Sequence, residues 1–270
     1  MFKSPKIKHI LSIILMAALM LSFDTAAAAK AVITPYSSLP KVTDTEEYVV
    51  EVNSTNGKTR SYRIFSQSRN PQKKKTYISS HGCAVSALTT VLSGYSARYG
   101  AFTPTQTYKT LEKKVFGLKK WRANYRKSKA KQMPVSLYGI TKILKHCKIK
   151  SKYVRFFKDA RAIREIENHL KKGKPVIIEV NNHRQTNGRI SKKYDSKWAL
   201  TKHTMVLLGM TDNGKVIVAD SAYKPWSGMK QRVKYTRMKS LIHYMVPSKA
   251  VGKSLYFESI NTNGGYILVK

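Results

Sequence analysis

The spacing of apolar residues along the chain changes from helical to strand-like near Pro175. Before this point, apolar positions recur every three or four residues over several segments, which predicts amphipathic helices. After it, short β-branched runs are separated by turn signals, which predicts strands. Helices are predicted at 83–95, 104–115, 136–147 and 160–171, and strands at 176–180, 204–210 and 216–220.

A tight-turn signal, Asn56-Gly57, lies between two alternating segments near the N-terminus and predicts a β-hairpin. A second turn signal, Asn213-Gly214, joins the strands on either side of it into another hairpin. Together the elements predict an α+β fold in which N-terminal helices pack on a C-terminal antiparallel β-sheet. The remaining predictions are hairpin strands at 46–53 and 59–65, polar loops at 66–75 and 181–200, a strand and a short helix (239–245) after residue 225, and terminal strands at 255–260 and 266–269.

The N-terminal segment is typical of an export signal. Lysines precede an apolar run at 10–23, and four alanines follow at 26–29. This run is shorter than the roughly 20 residues that span a bilayer. Residues 1–29 are therefore predicted to be a signal peptide cleaved near Ala29, with an uncleaved membrane anchor as the alternative. We expect the protein to be secreted or cell-surface associated, without a transmembrane span after cleavage.

The chain is strongly basic, with a formal net charge of +37 at pH 7. Such a field attracts polyanions, and outside a cell these include wall polymers, anionic lipid head groups and acidic polypeptides. The densest basic stretch, 113–131, contains no acidic residue and is interpreted as a solvated face or surface loop, with polyanion binding as the alternative. Export and the lack of interleaved aromatic stacking motifs argue against a nucleic-acid partner.

The two cysteines, Cys83 and Cys147, are too few for a disulfide scaffold. Cys147 follows Leu137, Ile140 and Leu144 at helical spacing and is interpreted as a buried core thiol. Because export permits disulfides, a bond between the two cysteines remains the alternative.

Cys83 opens an apolar helix, with Ser79 and Ser80 as candidate caps. A cysteine at a helix N-terminus has its thiolate favoured by the backbone dipoles and free N–H groups, and the thiolate is the reactive form. The neighbouring residues are small and would let a substrate backbone approach the sulfur. A small core cysteine is the alternative interpretation of this segment alone.

His203 opens a strand that is apolar on both faces, where a titratable group is unexpected. The predicted hairpin brings Asp220 to the same end of the sheet as His203, where a carboxylate can orient the imidazole. Asp220 could instead cap the turn that follows its strand. Among the other histidines, His183 is the main competitor for the role of base because it lies in a predicted strand-end loop, whereas His81 is too near Cys83 in a helix. His146 and His169 are expected to face solvent.

These segments resemble the papain-like cysteine peptidases, in particular the branch similar to the double-glycine peptidases that process bacteriocin leaders. The resemblance covers about residues 62–222 and rests on Gly82-Cys83, on the run 170–177 and on the segment from His203 to Asp220. It implies a papain-like fold with Cys83 as nucleophile, His203 as general base and then acid, and Asp220 as the residue that orients His203.

The resemblance also implies an upstream Gln that stabilises the oxyanion, for which Gln67 is favoured over Gln72. Both lie farther from Cys83 than the short interval in papain, and Ala84-Val85 replaces the Gly-Pro pair often seen in this branch. The double-glycine enzymes are parts of membrane transporters, and this sequence shows no transporter segment, so the leader-cleaving role does not transfer.

We therefore expect a cysteine peptidase that acts on a peptide or protein substrate, with no cofactor and no metal. A cell-wall peptide or isopeptide amidase would use the same residues. A non-catalytic polyanion-binding surface protein on a peptidase-like fold is the alternative from another class, with anionic cell-surface polymers as its partners. The chain is expected to comprise the signal peptide at 1–29, a β-hairpin and basic linker at 30–75, and a papain-like peptidase domain at 76–270.

Overall fold

The computed structural model of the chain describes eleven stretches of it, and at 31–35, 46–48, 183–186 and 189–194 the backbone alone. The predicted signal peptide, the alternative oxyanion residue Gln72 and most of the predicted loop 66–75 lie outside these stretches. The described residues are 31–35, 46–53, 58–67, 77–128, 131–181, 183–186, 189–194, 202–222, 233–247, 253–257 and 264–270.

The strands form three antiparallel sheets. β1, β2 and β3 form an N-terminal sheet in that order, β6 pairs with β7, and a six-stranded sheet has the order β10-β9-β8-β5-β11-β4. The strands are β1 (Ala31–Pro35), β2 (Glu46–Asn53), β3 (Thr59–Phe65), β4 (Ser151–Val154), β5 (Val176–Val180), β6 (His183–Thr186), β7 (Arg189–Tyr194), β8 (His203–Met210), β9 (Val216–Ala219), β10 (Val233–Thr236) and β11 (Tyr266–Val269).

The helices lie mainly between β3 and β5 and coincide closely with the predicted ones. The run 104–116 is helical throughout, but its middle part, Thr107–Glu112, is π-helical. The helices are α1 (Tyr77–His81), α2 (Cys83–Tyr95), α3 (Pro104–Gln106), α4 (Lys113–Phe116), α5 (Leu118–Tyr125), α6 (Leu137–His146), α7 (Asp159–Lys171) and α8 (Met238–Leu241), the last followed by a 3-10 turn at Ile242–Tyr244.

The six-stranded sheet is covered on both faces. One core joins α2 and α6 to Ile177, Val206 and Leu208, while the other joins α7 and α8 to neighbouring residues of the same strands. Because side chains alternate between the faces of a strand, continuous apolar strands such as β5 and β8 need cover on both sides. This arrangement confirms the predicted α+β fold of helices on an antiparallel sheet.

Helix α2 is the most deeply buried helix of the first core, with every residue from Cys83 to Leu92 buried. Val50 and Val52 of β2 and Tyr62 and Ile64 of β3 belong to the same core. Burying side chains of this size contributes roughly 1.5–3 kcal/mol each. The N-terminal hairpin and α2 thus stabilise each other, and the division of the chain at residue 75 stays a prediction.

Several predictions of local structure are corrected. The polar loop predicted at 181–200 contains the hairpin β6–β7. Of the strand predicted at 255–260, Tyr256 makes a single bridge to Val135, and 258–260 lie outside the described residues. Ser79 and Ser80 do not cap α2, because they lie inside the separate helix α1. The basic stretch 113–131 is mostly helical and mostly exposed at α4 and α5, which agrees with a solvated face and not with a loop. Strands β1 and β4 were not predicted.

In the part of the chain that the structure describes, no helix combines the length and apolar character needed to cross a membrane.

The contact between α2 and β3 is tight at Gly94. A Cβ atom added there would overlap the ring of Tyr62, which is fully buried. We expect Gly94→Ala to lower the free energy of unfolding by about 1–3 kcal/mol, as overpacking does, although the same change in an open helix site is stabilising. Urea unfolding measures the effect. In a Tyr62→Leu background the loss should shrink, and an equal loss in both backgrounds would contradict the steric cause.

Candidate active site

Cys83 is the first residue of α2 and is 6% exposed. The helix begins there because Gly82 makes a tight connection to α1, with its N–H donating to Ile78 O at 2.9 Å. A side chain at Gly82 would overlap the backbone of Ile78, so the connection requires glycine. The sulfur consequently lies where the first backbone N–H groups of α2 have no partner inside the helix.

His203 and Asp220 come from the hairpin of β8 and β9. β8 pairs antiparallel with β9, with Val206 opposite Ala219, and Gly214 takes a φ of +72° in the connecting turn. His203 at the start of β8 and Asp220 just after β9 therefore meet at one end of the sheet. His203 Nε2 donates to Asp220 Oδ1 at 2.6 Å, and both side chains are fully buried.

This pairing fixes the charges of both groups. Burial by itself lowers the pKa of His203, but the charge and hydrogen bond of Asp220, with a further contribution from Cys83, raise it to about 10. Burial likewise raises the pKa of Asp220, yet His203 and Lys234 outweigh it and hold the pKa well below its usual range. Near neutral pH the pair is thus an imidazolium and a carboxylate.

The other ring nitrogen of His203, Nδ1, takes no part in the bond to Asp220. Nδ1 is buried and makes no hydrogen bond of full geometry within the described residues. Nevertheless the side chain of Cys83 interacts with the ring strongly enough to contribute to its raised pKa. The imidazole thus holds Asp220 with Nε2 and interacts with Cys83 through the same buried ring.

Asp220 is held by more than His203. Its Oδ1 also accepts from the backbone N–H of Ala222 at 2.9 Å, and its Oδ2 accepts from Lys234 Nζ at 2.6 Å. Lys234 lies on β10, the strand next to β9, and its side chain is 12% exposed. Sequence reasoning missed Lys234, since nothing sets it apart among 51 Lys and Arg residues.

A second chain of polar contacts reaches Cys83 from the sheet. Cys83 Sγ donates weakly to Thr204 Oγ1 at 3.9 Å, and Thr204 Oγ1 donates to Glu179 Oε2 at 2.8 Å. Thr204 and Glu179 are directly opposite each other on β8 and β5. Both were missed, although an acidic residue inside the apolar run 176–180 is a recognisable signal.

Glu179 is a buried carboxyl group without a salt-bridge partner among the described residues. Burial raises its pKa to about 7, while the hydrogen bond from Thr204 and the charges of His203 and Lys202 oppose the increase. The Glu179 carboxyl group therefore changes its protonation state near neutral pH. It is connected to the sulfur through the hydrogen bonds of Thr204.

Gln67 lies beside this site. Its backbone N–H donates to Ser221 O and its Oε1 accepts from Ser221 Oγ, both at 2.9 Å. The residue is 5% exposed and lies two residues after the end of β3. Because the amide oxygen is held by Ser221, the residue next to Asp220, the amide nitrogen is left to donate elsewhere.

The remaining candidates lie apart from this cluster or cannot be described. His169 is half-buried, with Nε2 2.6 Å from Val269 O, so the expectation that it faces solvent was wrong. His146 is exposed, and the side chain of His183 is outside the described residues. Cys147 is a free, half-buried thiol at the end of α6 and not a fully buried one, and Cys83 is free as well.

Across the described stretches, no group of three or more His, Cys, Asp or Glu side chains is arranged to hold a metal ion.

A cysteine at the start of a buried helix, facing a His–Asp pair on an antiparallel sheet, is the arrangement of the papain-like cysteine peptidase superfamily. The sequence model of the Peptidase_C39 like family matches residues 59–246 of the chain, from β3 to the end of the 3-10 turn region. The protein belongs to that family. A search of curated proteins gave no match.

The raised pKa of Glu179 predicts a pH-dependent cost of burying it. Between about pH 4.5 and pH 7 the folded state keeps a proton that the unfolded state loses, so this group lowers stability as pH rises. Glu179→Gln should remove the effect. We expect the variant to gain up to about 3 kcal/mol relative to the wild type across this range, measured by urea unfolding at several pH values.

Glu167→Gln is the control variant, because it also removes one negative charge from this basic protein but leaves Glu179 in place. If the free energies of unfolding of the wild type and of Glu179→Gln changed equally with pH, the raised pKa of Glu179 would be contradicted.

Proposed function

We propose that the protein is a cysteine peptidase that hydrolyses peptide bonds with Cys83 as nucleophile, His203 as general base and acid, and Asp220 as the positioning residue. The observation that carries the proposal is the buried pair of His203 Nε2 and Asp220 Oδ1, whose imidazole also interacts with the cysteine at the start of α2. A buried ion pair of this kind is costly to maintain for stability alone.

The reaction follows from these charges. With the imidazole protonated, Cys83 supplies the thiolate, which attacks the peptide carbonyl and forms a carbon–sulfur bond. His203 gives its Nδ1 proton to the leaving amine as the carbon–nitrogen bond breaks. Nδ1 then takes a proton from water, whose oxygen attacks the thioester. The carbon–sulfur bond breaks, the acid product is released, and the thiolate–imidazolium pair of the enzyme is restored.

Two donors are proposed for the oxyanion that forms during each attack. One is the backbone N–H of Cys83, which belongs to the first turn of α2. The other is the side-chain amide of Gln67, whose oxygen is held by Ser221. Thr204 and Glu179 take a positioning role, because Thr204 Oγ1, which Glu179 holds, lies 3.9 Å from the sulfur.

We also propose that the enzyme acts after export, as a secreted or cell-surface protein, with residues 1–29 as its cleaved signal. The support is the N-terminal sequence itself, in which lysines precede an apolar run and an alanine cluster. Its substrates are then extracellular peptides or proteins.

Thiol labelling and activity together test the nucleophile. A peptide-library cleavage assay should show activity in the wild type and a loss of roughly 10³-fold or more in Cys83→Ala and His203→Ala. A thiol-reactive peptidase inhibitor should label the wild type and fail to label Cys83→Ala. Asp220→Asn should retain the fold with kcat reduced by at least about tenfold, because the imidazole loses its orienting charge.

Cys147→Ser is the matched control, since it removes the other thiol and should leave labelling and cleavage intact. Labelling that persists in Cys83→Ala but disappears in Cys147→Ser would refute the assignment. Folded wild type that neither labels nor cleaves any library peptide would favour a non-catalytic binding protein.

The oxyanion role of Gln67 can be separated from its structural role. Gln67→Ala should lower kcat by about 10²-fold or more while KM changes little, because the donor acts on charge that develops in the transition state. Ser221→Ala removes the hydrogen bond to Gln67 Oε1 but keeps the amide, and should cost far less. Equal losses in the two variants would indicate that Gln67 only holds the loop at Ser221.

A further inference from the structure

Helix α5 carries an apolar stripe along one edge. Leu118, Trp121 and Tyr125 follow one another at spacings of three and four residues, so they lie on the same side of the helix. Trp121 is half-buried against the first core, and its ring stacks on Tyr125 with centroids 4.9 Å apart and an angle of 9° between the planes. The two ends of the stripe are exposed, Leu118 by 42% and Tyr125 by 48%.

This exposure differs from the ordinary scatter of single apolar residues over a protein surface. Four large hydrophobic side chains are exposed in the described part of the chain, and two of them lie on this eight-residue helix. The other two, Phe156 and Tyr235, lie after β4 and on β10. Because Trp121 joins Leu118 to Tyr125, the two exposed residues of α5 belong to one apolar surface.

Three cations lie beside the stripe. Lys119, Arg122 and Arg126 are exposed, and none has a carboxylate partner among the described residues. At 3.6 residues per turn, these cations and the two exposed ends of the stripe fall within an arc of about 120° around the axis of α5. We call this arc the α5 face. It consists of Leu118, Lys119, Arg122, Tyr125 and Arg126.

The helix that carries the α5 face is held firmly to the rest of the molecule. Asn124 is buried on its inner side, where Nδ2 donates to Met133 O at 2.9 Å and Oδ1 accepts from Met133 N at 3.0 Å. Tyr77 of α1 donates to the same carbonyl oxygen at 3.1 Å. A partner that binds α5 thus meets a fixed helix, joined through Met133 to the helix that precedes Cys83.

The chemistry of the α5 face selects among anionic partners. A solvated face explains the exposed cations, but it does not explain the exposed apolar stripe beside them. A soluble polyanion would contact the cations and gain nothing from the aliphatic Leu118. The surface of an anionic bilayer satisfies both parts, because its head groups attract Lys and Arg while its interfacial region accepts Leu, Trp and Tyr side chains.

We propose that the α5 face binds the surface of an anionic lipid bilayer. Leu118 and the ring of Tyr125 enter the interfacial region, and Lys119, Arg122 and Arg126 contact the lipid phosphates. This interaction needs no catalytic residue, so it goes beyond the proposed peptidase activity and does not depend on it.

Hydroxyl-radical footprinting of the full chain tests the contact, because it measures the solvent access of individual side chains. Vesicles of equal parts phosphatidylglycerol and phosphatidylcholine should make Leu118 and Tyr125 at least about threefold less reactive. Phe156 and Tyr235 are equally exposed internal controls and should keep their reactivity. Vesicles of phosphatidylcholine alone should protect little. The measurement is local, so binding through another part of the chain does not imitate it.

The lipid concentration that half-protects Tyr125 measures the affinity of the α5 face. Neutralising its three cations should raise this concentration about tenfold or more, since each of them is attracted to the lipid charge. The matched control removes three exposed cations at α7, which packs in the second core on the opposite face of the sheet, and should behave as the wild type. The two variants are Lys119→Gln/Arg122→Gln/Arg126→Gln and the control Arg164→Gln/Lys171→Gln/Lys172→Gln.

A third variant separates the apolar contribution from charge attraction. Leu118→Ser keeps every charge and should raise the half-protecting lipid concentration about threefold or more, because the leucine no longer enters the interface. Four results would overturn the proposal. They are unchanged reactivity of Leu118 and Tyr125 on vesicles, equal protection by soluble inorganic polyphosphate, no effect of Leu118→Ser, and an equal loss in the control variant.

Discussion

The buried ion pair of His203 and Asp220 constrains the rest of the structure. Two fully buried charges are expensive unless every polar atom has a partner and the geometry is close. Asp220 meets this condition with partners from three places: the imidazole on β8, the amide of Ala222 and the ammonium group of Lys234 on β10. The order of strands β10-β9-β8 is thus what makes the charged pair possible.

The same end of the sheet must also accept α2. Its small residues and the burial of 83–92 let it lie on β8, so that Cys83 interacts with the imidazole of the pair. Tyr62 of β3 and Val52 of β2 pack behind it, the latter against Gly209, where a side chain would overlap Val52. The N-terminal sheet therefore supports the position of the cysteine from behind α2.

Local sequence signals were enough to predict α2, the β8–β9 hairpin and the three residues they bring together. Helical periodicity located Cys83 at a helix start, and a single turn signal set the register that joins His203 and Asp220. The partners of these residues were not predictable in the same way. Lys234, Thr204 and Glu179 matter through cross-strand neighbours, and strand order is a long-range property that periodicity does not encode.

The misses in the fold have similar causes. The hairpin β6–β7 is polar, so the alternation that marks a strand was weak, and β4 is only four residues long. A short strand at the end of a sheet buries few of its side chains, so its sequence shows little of the apolar pattern that marks a strand.

The few acidic residues show how charge is divided in this protein. Glu112, Glu179 and Asp220 are buried in a chain that has 14 Asp and Glu against 51 Lys and Arg. Each joins elements distant in sequence, as when Glu112 accepts from Tyr256 OH at 2.9 Å. The exposed surface is left with a large excess of positive charge. Salt screens exposed charges far more than buried ones, so ionic strength acts on the surface contacts of this protein while the charged pair beside Cys83 is preserved.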